Sequence, residues 1–298
     1  MEFKKFPANS KKLLDEILQS DNSAGTYSEC LAEYEAMMHE KAIDNIDTVN
    51  NHRQMKKTVI YETHLHTKEG SACSRNTAEE LVHAYKAAGY TVIIVTDHFY
   101  RGNCAVDRNC SWEDWVEGYC KGYENAKAAG DKCGLQVFFG WEESHQGTDF
   151  LVYGLDKEWL IKHPELKNVT IEKQYELVHQ AGGMIIHAHP YREADYIPEI
   201  RLFPKFIDGV EVCNASHYGR KPGVDGRSLY DIQAEEYAEK YNLPRTGGSD
   251  IHSTNLLYGG MAFDRKLTDV KDYMRAVLNR EGRPIDYFEI RRSKDALK

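Results

Sequence analysis

Nowhere in these 298 residues does an apolar run approach the ~18 residues that a membrane span requires. The opening residues, Met1-Glu2-Phe3-Lys4-Lys5, lead into a polar stretch with no apolar leader core, so the expected location is cytoplasmic, with no membrane partner. A basic surplus is also missing. Asp and Glu number 47 against 38 Lys and Arg, and the formal net charge of −9 disfavours a general nucleic-acid-binding surface. Among the seven cysteines (Cys30, Cys73, Cys104, Cys110, Cys120, Cys133, Cys213) there is no C-x-x-C pair. They read as reduced, buried or incidental thiols, with Cys104 and Cys110 a weak alternative as metal donors in one polar segment.

What is present is the composition of an ordinary globule, 41% hydrophobic and 29% charged. Residues 1–56 stand apart from the rest. Segments 11–18 and 30–43 have helical periodicity and hold no cluster of ligand-type residues, and the polar run 44–51 reads as a connector. A helical extension is expected there, packed on the main domain or at the contact of a homo-oligomer. Over residues 57–298, strand-like runs (59–64, 91–97, 136–142, 149–154, 183–189, 209–213, 244–250) alternate with helical stretches. Thr77-Ala78-Glu79-Glu80 is a capping box opening a helix that Gly89 ends. Further helices are expected over 112–129, 170–181, 228–241 and 268–279. This alternation predicts βαβ units and a parallel α/β sheet.

The polar residues then fall in a telling place. His64 and His66 share one side of a strand, because side chains alternate with period two. Asp97-His98, Glu142, His189 and Asp250-Ile251-His252 also lie at or just past the carboxyl ends of strands, the catalytic face of α/β barrels. Imidazoles and carboxylates converging there suit a cluster of borderline divalent cations. The chain reads as a metal-dependent hydrolase.

Four motifs in order, His-x-His, Thr-Asp-His, His-Pro and Gly-Ser-Asp-x-His, resemble the polymerase and histidinol phosphatase (PHP) family over about residues 58–264. The resemblance implies a distorted seven-stranded (β/α)7 barrel of TIM-like type. It also implies two or three divalent metal ions (Zn, Mn or Fe) and hydrolysis of a phosphate ester by a hydroxide bridging two of them. Carried over, His64 and His66 hold one metal with Glu142 and Asp250, and Glu142, in Gly140-Trp141-Glu142, bridges to a second. His189 holds that second metal, and His98 and His252 hold a third. Asp97 is either a weak ligand or a catalytic support that fixes a neighbouring imidazole.

Two departures stand out. Five and six residues past His66, where the family supplies an Asp or His, this chain has Ser71 and Ala72, leaving Glu69 as the nearest candidate ligand. Asp149 stands where the family offers a histidine, which hardens the site toward manganese or iron, with His145 as a rival donor. Arg192 is the expected phosphate clamp, since its guanidinium fork matches two phosphate oxygens. His217 and Arg220 are expected substrate contacts. Glu211 and Asn214 are either substrate contacts or rim polarity, and His187 a hydrogen-bonding group. The expected substrate is a phosphorylated small molecule. The alternatives are a nuclease or oligonucleotide phosphodiesterase, an amide or lactone hydrolase, and a non-catalytic metal-binding scaffold.

Overall fold

All seven apolar runs form strands in a computed structural model that describes residues 58–223, 226–254 and 259–286. They are β1 (Val59–Leu65), β2 (Val92–Val95), β3 (Gln136–His145), β4 (Thr148–Tyr153), β5 (Met184–Ala188), β6 (Gly209–Asn214) and β7 (Arg245–Gly248). Two short strands were not foreseen, β8 (Gly260–Phe263) and β9 (Arg283–Ile285), so the sheet has nine strands rather than seven. The helical extension and subunit contact expected over residues 1–56 lie outside the described residues.

The sheet runs β7-β6-β5-β4-β3-β2-β1-β8-β9. The segment after β7 meets β1, with Asp250 N–H donating to His64 O at 2.9 Å and His66 N–H to Ile251 O at 3.2 Å, so that the first seven strands nearly close a barrel and β8 and β9 continue past β1. The sheet is mixed rather than parallel: β8 runs against β1 and β9, and, within the seven expected strands, β4 runs against both β3 and β5. The reason lies between β3 and β4. Only Gln146 and Gly147 separate them, at φ 54° and 81°, the two positive dihedrals of a tight hairpin turn; a parallel crossover needs a dozen residues or more. Reversing β4 leaves β1, β2, β3, β5, β6 and β7 pointing the same way and brings the start of β4 to the rim where they end.

Helices cover the barrel. Thr77 caps α1 (Ala78–Ala87), with both bonds of the capping box present. The stretch expected as one helix over 112–129 breaks at Cys120 into α2 (Trp112–Tyr119) and α3 (Lys121–Cys133). The other α-helices among the described residues are α4 (Lys157–Ile161), α5 (Ile171–Gln180), α6 (Leu229–Lys240) and α7 (Val270–Leu278). Strand alternation partitions the core. Ile93 and Val95 pack with Leu81, Val82 and Tyr85 of α1, while Val92 and Ile94 join Tyr61, Leu151 and Ile186. In β1 the register against β2 shifts between Glu62 and Leu65. Such a bulge re-aims side chains: Tyr61 lies with Ile94, whereas Leu65 lies with Ile93 and Val95, so His64 and His66 flank Leu65 on the opposite side.

Candidate metal centre

Three groups of ligand-type residues meet at the rim: His64, His66 and Asp250; His64, Glu142 and His189; and His66, His98 and His252. Within each group the donor atoms lie within 4.8 Å of one another. β1 supplies His64 and the residue after it His66, β3 supplies Glu142, and His98, His189, Asp250 and His252 follow β2, β5 and β7. His189 and Asp250 hold φ values of 29° and 53°, in the left-handed region that residues with a Cβ seldom occupy. Both sit where a strand turns over the rim, and strain of that kind gathers at functional sites.

Donor spacing tests the fit to cations. His64 Nε2 lies 3.2 Å from Glu142 Oε1 and 3.6 Å from Asp250 Oδ1. His66 Nε2 lies 3.1 Å from Asp250 Oδ1, His189 Nε2 3.1 Å from Glu142 Oε1, and His98 Nδ1 2.6 Å from Glu142 Oε2. Ligand atoms ~2.1 Å from a shared ion sit about 3–3.5 Å apart, so most of this spacing fits. Yet His64 Nε2, His66 Nε2, His98 Nδ1 and Glu142 Oε2 are buried with no hydrogen-bond partner. These four atoms meet their neighbours only as close ion-pair contacts without an aligned hydrogen bond, and converging their lone pairs on a cation satisfies them. These residues could hold divalent metal ions.

A second layer sets which ring nitrogen faces inward. Glu211 Oε1 takes His64 Nδ1 at 2.9 Å, and its Oε2 accepts from His189 N–H and Asn214 Nδ2. Ser71 donates to Asp97 Oδ1 at 2.7 Å, so its oxygen is left to accept from His66 Nδ1 at 3.2 Å. His252 Nδ1 donates to Asp250 O at 2.8 Å. In all three, Nδ1 is engaged behind the ring and Nε2 is left for a ligand. Sequence reading left Glu211 and Asn214 between substrate contact and rim, and only spatial pairing with His64 reveals this orienting role.

Electrostatics follow from this crowding. Burial works against the His64 imidazolium, but Glu211, Asp250 and Glu142 outweigh it and hold the ring's pKa well above the imidazole range. His98 is raised the same way by Glu142. Burial and the rings of His98 and His252 push His66 well below it. Burial raises Glu142 and Asp250, yet the surrounding imidazoles (with Arg192, for Asp250) bring both well below the carboxylate range. Burial lifts Asp97 to about 6 despite its bonds from Thr67 and Ser71.

The remaining expected residues divide. Asp149 accepts from Ser144 at 2.6 Å and lies 4.0 Å from His189 Nε2, beside the three groups rather than in them. Asp97 stands behind His66, accepting from Thr67 and Ser71, outside the three groups. Glu69 is spent elsewhere: its carboxylate accepts from Ala78 N–H at the start of α1 and from Asn125. His145 faces Gln174 and Arg101, and burial first, then Arg101, lowers it to about 4. Arg192 pairs with Asp250 at 2.8 Å and Asp149 at 3.4 Å, and its buried Nε has no hydrogen-bond partner. His217 is buried on Asp231 at 2.7 Å with Nε2 unpartnered, whereas Arg220 is exposed.

One neighbour went unnominated. Burial raises the pKa of the Cys73 thiol, but the His252 and His98 imidazoles bring it down to about 6. Nothing in its spacing singled it out.

No protein-family model and no curated protein matches the chain. Among solved structures it is similar to a two-domain Bacteroides vulgatus protein described as containing a predicted PHP-like metal-dependent phosphoesterase. The TM-score is 0.55 and the identity 14%, over 78% of this chain and 65% of that one, so this chain spans less than two-thirds of it. PsfC from Pseudomonas syringae aligns at TM-score 0.49 and 16% identity, over 72% of this chain and 87% of that one. A candidate metal-dependent phosphoesterase of Bifidobacterium adolescentis aligns at 0.45 and 16%, over 74% and 96%. The likeness to the Bacteroides protein is one of fold.

Proposed function

We propose that this chain is a metal-dependent phosphoesterase that hydrolyses a phosphate ester of a small molecule. The observation that carries this reading is the gathering of His64, His66, His98, Glu142, His189, Asp250 and His252 at one rim, with four of their donor atoms buried and without a hydrogen bond. The description attached to the Bacteroides protein of the same fold agrees with it.

His64, His66 and Asp250 hold one cation, Glu142 and His189 hold another with His64 nearby, and His98 and His252 hold a third beside His66. Imidazole nitrogen with carboxylate oxygen suits zinc, manganese or iron. Bound there, such ions supply Lewis-acid charge for a phosphoryl group and acidify water. The chain's own residues do the rest. Glu211, through Nδ1 of His64, and the Asp97–Ser71 pair, through Nδ1 of His66, hold the two rings in the tautomer whose Nε2 is a donor. Arg192, steadied by Asp250 and Asp149, keeps its Nε–H for a substrate oxygen and sets the phosphoryl group in place. The net charge of −9 favours a small substrate over a polynucleotide.

The test is His64→Ala, since His64 belongs to two of the three groups. The variant is expected to retain fewer metal ions by elemental analysis and to lose at least ~100-fold in kcat/KM on a generic phosphate monoester. Unchanged metal content together with unchanged hydrolysis overturns the reading.

A further inference from the structure

A cavity opens beside the metal centre, between the turn that joins β3 to β4 and the segment that follows β5. His189, Asp149 and Arg192 belong both to its lining and to the surroundings of the centre, so the two spaces are continuous. Ile197 and Ile200 are its large apolar side chains. The segment that carries them is riveted to the turn. Arg201 donates to Thr148 Oγ1 at 3.0 and 3.2 Å, to Gln146 Oε1 at 3.4 Å and to the His145 carbonyl. At Gly147, with φ 81°, a Cβ would meet Ile197 Cα at 3.1 Å, tighter than ordinary contact. A cavity walled in this way widens only by breaking those bonds. It encloses about 210 Å³ with its open mouth included. Pockets that take drug-sized ligands run to roughly 300–1,000 Å³, so this one suits a compact group.

Its polar lining is left partly unused. The Thr148 hydroxyl accepts from Arg201 and, among the described residues, donates to nothing, which keeps its hydrogen free. The exposed Glu199 carboxylate has no partner among the described residues, and His187 is buried with neither ring nitrogen hydrogen-bonded. Spare donors and acceptors in one small space match hydroxyl groups, which do both. Charge points the same way. Asp149 and Glu199 are matched by Arg192 and Arg201, so the lining favours an uncharged group.

We propose that this cavity receives the leaving group of the phosphate ester and selects compact, uncharged, hydroxylated alcohols, with Thr148 donating to a hydroxyl and Ile197 and Ile200 limiting size. The proposal rests on the phosphoesterase reading above and names its substrate class, and the experiment keeps the two apart. The full chain, loaded with zinc or manganese, is assayed on glycerol 1-phosphate, n-propyl phosphate, adenosine 5′-monophosphate and p-nitrophenyl phosphate. Glycerol phosphate is expected to exceed both propyl phosphate, which has its skeleton without the hydroxyls, and the nucleotide by at least ~10-fold in kcat/KM. Thr148→Val is expected to bring the glycerol-to-propyl ratio toward one, and Thr148→Ser to restore it. Ile200→Ala is expected to raise the nucleotide relative to glycerol phosphate. Equal turnover of glycerol phosphate and either comparison ester, or ratios that no variant moves, overturns the role of the cavity and leaves the phosphoesterase standing. Hydrolysis of the nitrophenyl ester alone does the same. No hydrolysis of any of the four overturns both. Calorimetry reads the preference without turnover: 2-hydroxyethylphosphonate is expected to bind the metal-loaded chain more tightly than ethylphosphonate, and equal affinities overturn the hydroxyl contact.

Discussion

His187 and His189 lie two residues apart and illustrate how little residue type alone decides. His189 turns its Nε2 to Glu142, whereas His187 is buried in the wall with neither ring nitrogen hydrogen-bonded, stacked on Phe150 at 5.0 Å. Burial, then the His189 and Arg201 charges, lower the His187 pKa to about 3. The folded chain therefore keeps His187 neutral while the unfolded chain protonates it below ~6.5. Its contribution is whole above that pH and is lost progressively as pH falls toward 3. At pH 5 the penalty is ~2 kcal/mol, from 1.5 units at 1.36 kcal/mol each. His187→Phe, which keeps the stack on Phe150, is expected to lose about 2 kcal/mol less than the parent between pH 8 and pH 5, measured by urea unfolding in chelator. Equal losses in the two proteins contradict this account. The histidine before Pro190 was legible as a donor from its motif. The burial of its neighbour was not, because Phe150 reaches it from a strand 37 residues earlier.

At the scale of elements, the second of the two glycines in β7, Gly248, lies where that strand closes on β1. A Cβ at Gly248 meets His64 Cβ at 2.5 Å and Glu211 Oε1 at 2.9 Å. Neither can retreat: one is the root of a buried side chain and the other the oxygen that holds the His64 ring. Gly248→Ala is therefore expected to push β7 from β1, costing about 1–3 kcal/mol and weakening metal binding together. A thermal melt and a metal titration check both, and an unchanged affinity removes the link between strand closure and site. Strand existence was legible for the seven long apolar runs, and so was the rim, since each motif followed a run. β8 and β9 escaped notice because they have four and three residues, one opening on Gly260 and the other containing Pro284. The direction of β4 is set by the two-residue turn Gln146-Gly147, whose sequence is a weaker hairpin signal than Asn-Gly or Asp-Gly. Glu211 is placed by a strand that pairs with neither β1 nor β2, so spacing along the chain cannot bring it to His64.

For the whole molecule, the rim stacks buried carboxylates and imidazoles whose charges compensate one another only while His64 and His98 keep protons. A divalent cation that takes those nitrogens must displace the protons, so metal affinity falls as pH falls. The sign follows from the direction of the shifts: both rings are raised, so proton competition extends above the ordinary imidazole range instead of ending near 6.5. Cations that bind the folded chain and not the unfolded one stabilise it by about 4 kcal/mol at a thousandfold excess over Kd. For a domain of this size that is a rise in Tm on the order of 10 °C. Zinc or manganese added to chelator-treated protein is expected to raise Tm, and the rise is expected to be smaller at pH 6 than at pH 8. Scanning calorimetry with and without metal at the two pH values reads the difference directly. A Tm indifferent to metal means the donors do not act as a cation site. A rise of equal size at both pH values means that the protons on His64 and His98 are not what the cation displaces.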